Sequence, residues 1–181
     1  HMLWCMPMDS YSNCIDFLLS RRSIREFQDR EVSMEIIEKI LDIARYAPSA
    51  KNRQPWTFVI VRDRGIIDKL SRIHGGASPL RNAPSAIVVA CNKLESPVSY
   101  QVDCANAAMY IMLAAHALGL GTVWIQTLRN IEQIQEILKL PQHIIPIAIL
   151  AIGWPAEKPT VKPRKPLTEL ICINTYCKGI N

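Results

Sequence analysis

The chain has 181 residues, of which 49% are hydrophobic and 20% charged. That is the balance of one packed globular domain, and it excludes a disordered chain or two generous domains. The formal net charge of +5 is compatible with nucleic acid, an anionic membrane surface or a phosphate-bearing small ligand as partner.

In chain order, residues 1–8 read as a tag remnant and flexible N-terminus, with His1-Met2 as a scar. Residues 9–181 read as a single domain, ending in an extended arm from about 155. A short helix is expected over 11–20, with Ile15, Phe17, Leu18 and Leu19 as its apolar residues. Ser33 is a good N-cap for a second helix, with Ile36, Ile37, Ile40, Leu41 and Ala44 at helical spacing and Pro48 ending it. Residues 49–55 form a polar loop before a buried strand over 56–62. A short helix near 65–73 breaks at His74-Gly75-Gly76, and a second buried strand covers 86–91. Residues 100–118 form the longest helix, apolar around almost its whole circumference, so it is either central or shared with a second subunit. Gly119 and Gly121 stop it. A third strand covers 122–126. Asn130 caps a helix carrying Ile131, Ile134, Ile137 and Leu138, and a fourth strand spans 144–153, with Pro146 near its start or on an edge. Leu167 to Ile173 adds a strand or a helix turn. The expected fold is therefore α+β: a central, mostly antiparallel sheet of four to five strands flanked by helices.

The six cysteines form no C-x-x-C pair and show no zinc-ligand spacing, so no metal is expected. Cys91 and Cys104 lie in apolar runs and read as buried reduced thiols; Cys172 and Cys177 could pair. No apolar run is long enough for a membrane span, and no basic segment is interleaved with aromatics. A cytoplasmic protein without nucleic-acid or membrane partners is expected. The positive charge gathers in two knots, Arg21, Arg22 and Arg25 early and Lys158, Lys162, Arg164 and Lys165 late. Two knots suit a fold that brings both to one phosphate better than they suit a continuous basic stripe.

Four segments carry a family resemblance. Arg21-Arg22-Ser23-Ile24-Arg25-Glu26-Phe27 resembles the R-R-S-x-R-x-F signature of the nitroreductase superfamily. Ala47-Pro48-Ser49-Ala50-Lys51-Asn52-Arg53-Gln54-Pro55-Trp56 is similar to its A-P-S-x-x-N-x-Q-P-W loop, with Ala50 where many relatives have a second serine. Gly119 to Gln126 resembles its G-L-G-T-x-W-I segment. Gly153-Trp154-Pro155 and Lys162-Pro163-Arg164-Lys165-Pro166 resemble its closing element. The motifs stand in family order from residue 21 to residue 166.

The resemblance implies a homodimeric nitroreductase-like fold, with two FMN sites at the subunit interface and NADH or NADPH as reductant. Hydride would pass through flavin N5 to nitroaromatic, quinone or similar small-molecule acceptors by a ping-pong mechanism. A phosphate tail needs donors, and the chain has neither a G-x-G-x-x-G nor a P-loop motif. The resemblance gives that task to Arg21, Ser23 and Arg164, with Arg22 beside them and Lys162 assisting. It sets Arg25 against flavin N1 and the C2 carbonyl, where a cation favours the reduced form. Pro48, Ser49, Ala50, Asn52 and Gln54 would reach the flavin bound mainly by the other subunit. Gln126 and Thr127 would present backbone N–H groups near N5. No side chain is expected to act as an acid or base. A related flavin enzyme, of the reductive dehalogenase or flavin-fragmenting type, or a non-catalytic flavin-binding protein would share the cofactor. The short stretch from Arg81 to Tyr100 lacks the lid of the first two.

Overall fold

The computed structural model describes residues 12–178; the expectations for residues 1–8 and for Tyr11 lie outside them. The elements in order are helices α1 (Ser12–Ser20) and α2 (Met34–Ala44), strand β1 (Trp56–Val61), α3 (Arg64–Leu70), β2 (Ser85–Asn92), α4 (Tyr100–Ala117), β3 (Gly121–Ile125), α5 (Ile131–Leu138) and β4 (Ile144–Gly153). The four strands form one antiparallel sheet in the order β1-β2-β4-β3. Ser23 adds a parallel bridge to Thr122 at the β3 edge, so the α+β architecture of four to five strands is as expected.

Each face of the sheet carries its own core. Ile87, Val89, Leu150 and Ile152 point to one side, where they pack with α2 and α4 residues such as Ile37, Ile40, Ala108 and Ile111. Ala86, Val88, Ile149 and Ala151 point to the other, against Ile67, Leu70, Leu80 and Ile134. A strand buried on both faces reads as an unbroken apolar run, which is why β2 and β4 show no alternation. β1 is an edge strand and only half-buried, with Thr57 exposed, so the expectation of a buried strand there is corrected. Pro146 lies in a central strand, not an edge. It is accommodated because the register shifts there: Val89 pairs with Ala148 and Ala90 with Pro146. Ile147 is the extra residue of a β-bulge, which tolerates the missing N–H and re-phases the strand.

The helix boundaries follow the sequence reading at α2, with Ser33 capping it, and depart from it at α3 and α5. α2 ends at Ala44, before Pro48, because the ring disfavours helical geometry in the residue before it; Tyr46 and Ala47 tighten onto Ile43 O and Ala44 O instead. α3 starts from an Asp63 cap, whose side chain accepts from Ile66 N at 2.9 Å. Asn130 stands at the α5 N-cap position without capping; its amide donates to Ile73 O at 3.1 Å. α4 ends as foreseen, with Gly119 at φ +82° and Leu120 N donating to Ala115 O at 2.9 Å, a left-handed glycine stop.

α4 is not buried all round within one chain. Val102, Met109 and Tyr110 face outward. Cys91 and Cys104 are also not free thiols: they form a disulfide between the end of β2 and the start of α4, and Cys172 pairs with Cys177 in the arm. The spacing of 13 residues hid the first bond, because only the fold brings the two elements side by side. Beyond β4 the arm is extended apart from a 3-10 turn at Leu167–Glu169. It leaves Val161, Leu167, Leu170, Ile171, Ile173 and Tyr176 exposed. Among the described residues no helix is long and apolar enough to cross a membrane.

Candidate functional site: a cationic pocket and a strained loop

Segment 21–27 leaves α1 and runs along the sheet edge. Ile24 N donates to Thr122 O at 2.9 Å, Gln28 N to Trp154 O at 2.8 Å, and Ala156 N to Glu26 O at 2.9 Å. Two glycines permit this approach. A Cβ on Gly121 would stand 2.6 Å from the Ile24 side chain, and one on Gly153 would stand 2.7 Å from Pro84 and 2.8 Å from Phe27. The arm then folds back over the segment. Glu157 accepts from Arg25 N at 2.6 Å and Glu26 N at 3.1 Å.

This packing brings the two charge knots together. Arg21, Arg22, Ser23, Arg25, Lys162 and Arg164 line one pocket with Pro159 and Thr160. Its volume is about 110 Å³, a few water molecules' worth, which suits a phosphate group and not a ring system. No carboxylate lines it, and none of the ion pairs among the described residues involves its cations. The Nη1 of Arg21 is buried without a partner among the described residues. A buried guanidinium nitrogen left unpaired is costly, and so is packing five like charges together. A bound anion relieves both, so these residues fit the phosphate end of FMN. Arg22 is partly committed elsewhere: its Nη1 donates to Leu19 O at 2.7 Å and Arg21 O at 2.8 Å, capping the end of α1. Arg25, expected at the flavin ring, lines the same small pocket.

A larger cavity of about 420 Å³ opens beside it, lined by Arg21, Arg22, Ile24, Met112, His116, Leu120, Glu157 and Lys158 among others. Ser20 Oγ donates to Phe17 O and lies 2.9 Å from His116 Nε2, while the Phe17 and His116 rings stack at 4.9 Å. His116 is thus a satisfied packing residue. Burial pushes its pKa down; a backbone hydrogen bond at Phe17 opposes this, and the charges of Arg21 and Arg22 add to the lowering.

The loop from Pro48 to Gln54 lines neither cavity. It turns through a 3-10 segment, Ala50–Asn52, and three non-glycine residues take left-handed backbone: Lys51 at φ 53°, Asn52 at 53° and Gln54 at 51°. Each costs roughly 1 kcal/mol or more, strain that persists only where surroundings enforce it. Ser49 Oγ accepts from Gln54 N at 3.0 Å, and Gln54 Nε2 donates to Asn52 O at 3.1 Å. Asn52 and Gln54 are exposed, and Ser49 and Ala50 half-buried.

Gln126 and Thr127 form a third place, after β3. The Gln126 side chain accepts from Leu128 N at 2.8 Å, and its carbonyl accepts from His74 Nε2 at 2.7 Å. Thr127 Oγ1 is buried and unpartnered among the described residues. Sequence reasoning missed His74 and Glu157, because a single polar residue in a glycine turn or a proline-rich arm carries no periodic or motif signal. Asp103, in the first turn of α4, accepts from Ala50 N at 2.9 Å and Ser96 Oγ at 2.7 Å.

Known proteins agree with this architecture. The Nitroreductase family model matches residues 18–74 and 74–154. A protein of Methanothermobacter thermautotrophicus, named as an NADH dehydrogenase/NAD(P)H nitroreductase, is 41% identical over 83% of this chain and 81% of its own. The oxygen-insensitive NADPH nitroreductase of Salmonella typhimurium is 33% identical over 91% of this chain and 75% of its own. The solved structure of an FMN-dependent nitroreductase from Clostridium difficile superimposes with a TM-score of 0.80 at 36% identity, covering 90% of this chain and 99% of that one. With a family match over most of its length and the same fold at this identity, the chain belongs to the nitroreductase family.

Proposed function

We propose that this chain is an FMN-dependent NAD(P)H:acceptor oxidoreductase that works as a homodimer. The observation that carries the reading is the pocket of five cations without a carboxylate, holding a buried and unpaired Arg21 nitrogen. Relatives named as NADPH nitroreductase and FMN-dependent nitroreductase support the same chemistry.

When bound, FMN supplies the redox chemistry, accepting hydride from NADH or NADPH and passing it to a nitroaromatic, a quinone or a similar acceptor. The chain's residues bind and orient it. Arg21, Ser23 and Arg164, with Lys162 and Arg22, hold the phosphate through charge-assisted hydrogen bonds. Arg25 lines the phosphate pocket, and by the family resemblance its charge would also act on the pyrimidine end of the ring. The Gln126-Thr127 corner, pinned by His74, offers backbone N–H groups. Pro48, Ser49, Ala50, Asn52 and Gln54 serve the flavin of the neighbouring subunit, which accounts for their distance from this chain's own cationic pocket. The outward side of α4 at Val102, Met109 and Tyr110 and the apolar side chains of the arm supply surface for that subunit to cover. Reductant and acceptor would bind in turn at the same bound flavin, which predicts ping-pong kinetics. The location expected is the cytoplasm.

The test is spectroscopic. Purified protein should show oxidised flavin bands that NADH or NADPH bleaches anaerobically and a quinone restores. Arg21→Ala should weaken FMN binding by about 10- to 100-fold, the worth of one or two hydrogen bonds to a charged group. Unchanged affinity in that variant, or initial-rate patterns demanding a ternary complex, would refute the phosphate site or the ping-pong order respectively. A halogenated phenol reduced faster than quinones would favour a dehalogenating relative instead.

A further inference from the structure

α4 reaches the strained loop at two points. Asp103 Oδ1 accepts from Ala50 N at 2.9 Å, and Asn106 Nδ2 donates to Pro48 O at 3.3 Å. The two residues lie three apart on one helix face. Asp103 is 2% exposed, and its second oxygen accepts from Ser96 Oγ at 2.7 Å. A carboxylate is seldom buried without a cation, and no Lys, Arg or His pairs with this one among the described ion pairs. What compensates it is the positive end of α4, whose first turn it occupies, and the Ala50 N–H. The neighbouring Cys104 is bonded to Cys91 of β2, so the end of the helix that bears Asp103 is tied to the sheet.

We infer that Asp103 is a positioning residue: through the Ala50 N–H it holds the Pro48–Gln54 loop in its left-handed conformation, ready for the flavin of the neighbouring subunit, with Asn106 as a second hook. A buried charge is an expensive way to fix one amide unless the shape of that loop matters. The three left-handed residues beyond Ala50 need an anchor, since the hydrogen bonds inside the loop move with it. The inference rests on the proposed flavin site for its purpose and on geometry alone for the anchor.

The experiment compares Asp103→Ala, Asp103→Leu, Asp103→Asn and Asn106→Ala with the parent protein, by hydrogen exchange at the Ala50 amide without flavin and by FMN titration. Asparagine keeps an acceptor toward Ala50 and a donor toward Ser96. Asp103→Ala is expected to speed Ala50 exchange and raise the FMN dissociation constant by about tenfold each, the loss of one hydrogen bond to a charged group, while inorganic phosphate binds as before. Asp103→Asn should bring both back to within about threefold of the parent, and Asp103→Leu, which fills the space without an acceptor, should behave like Asp103→Ala; rescue by leucine would assign a merely space-filling role and overturn the proposal. Exchange and affinity both unchanged in Asp103→Ala would overturn the proposal. Should that variant not fold, Asn106→Ala, at a half-buried position, must show the same direction with a smaller factor, and no effect there overturns it. Failure of the parent protein to bind FMN would sink the flavin reading, whereas Ala50 exchange reports the anchor independently.

Discussion

The Oε1 atom of Glu157 sits 2.6 Å from the backbone nitrogen of Arg25 and 3.1 Å from that of Glu26. A carboxylate thus stands next to a phosphate-sized cationic pocket, which looks counterproductive until its partners are counted. It accepts two main-chain N–H groups and fixes the path of the segment that carries Arg21, Arg22 and Ser23. Geometry and charge therefore make opposite predictions for its removal. Through-space charge favours tighter anion binding in Glu157→Gln; loss of the two hydrogen bonds favours weaker binding in Glu157→Ala. Short hydrogen bonds to a charged acceptor outweigh a solvent-screened charge near the surface. Glu157→Ala should bind FMN about five- to tenfold more weakly, and Glu157→Gln should stay near the parent. Isothermal titration of both variants decides it, and an alanine variant that binds more tightly would show that charge prevails.

Arg25 is exposed and lines the same pocket as Arg21. Two roles are open to it, and they differ in what a mutation moves. A phosphate ligand changes the dissociation constants of oxidised and reduced flavin alike. A cation facing the pyrimidine ring binds the reduced form better and so changes the midpoint potential. We expect Arg25→Ala to lower the potential by about 30 mV, a two-electron equivalent of about 1.4 kcal/mol, with Arg25→Lys preserving most of it. Spectroelectrochemistry on flavin-loaded variants measures this. A constant potential with weakened binding would assign Arg25 to the phosphate.

What the sequence made legible follows from the range of the forces involved. β4 was readable to its ends because an apolar run bounded by a proline-glutamine turn and a glycine is a local signal. The convergence of Arg21 and Arg164 was readable because a doubly charged ligand needs cations and no glycine loop was present to hold it. The disulfide between Cys91 and Cys104, the two-residue grip of Glu157 and the His74 contact to Gln126 were not readable. Each joins residues whose proximity depends on sheet order β1-β2-β4-β3, and that order is set by packing on both faces. The bulge at Ile147 was hidden for the same reason, since Pro146 alone argued for an edge.

The close approach of Ile24 to Gly121 gives a test of the scaffold that is separate from ligand chemistry. A methyl group at residue 121 would lie 2.6–2.9 Å from three Ile24 carbons. Both residues are buried, so the clash is relieved only by lifting the segment that starts at Ser23. Gly121→Ala should destabilise the protein by about 1–3 kcal/mol and weaken flavin binding as well. Trimming the partner in a Gly121→Ala/Ile24→Ala double variant should recover part of the binding, because the space returns. Denaturant unfolding with FMN titration reads both, and a single variant as stable as the parent would mean the segment has slack that the packing does not show.

His116 offers a pH signature at the edge of the same site. Burial lowers its pKa first, and the Arg21 and Arg22 charges lower it further, against an opposing backbone hydrogen bond at Phe17. With the folded-state value below the unfolded value of about 6.5, the folded protein takes up this proton less readily. The stability tied to the neutral ring is complete above about pH 6.5. It is lost as the pH falls from there through the folded value. Between pH 8 and pH 5 the parent should therefore lose more stability than His116→Gln, by less than about 1 kcal/mol because water screens a half-exposed ring. The arginine contribution adds a sharper prediction. An anion held by Arg21 and Arg22 cancels part of their field, so inorganic phosphate should raise the His116 pKa toward its ordinary value. Proton NMR titration of the ring at constant ionic strength, with and without phosphate, measures this. A pKa indifferent to phosphate would separate His116 from the cationic pocket electrostatically and leave burial as the sole cause of its shift.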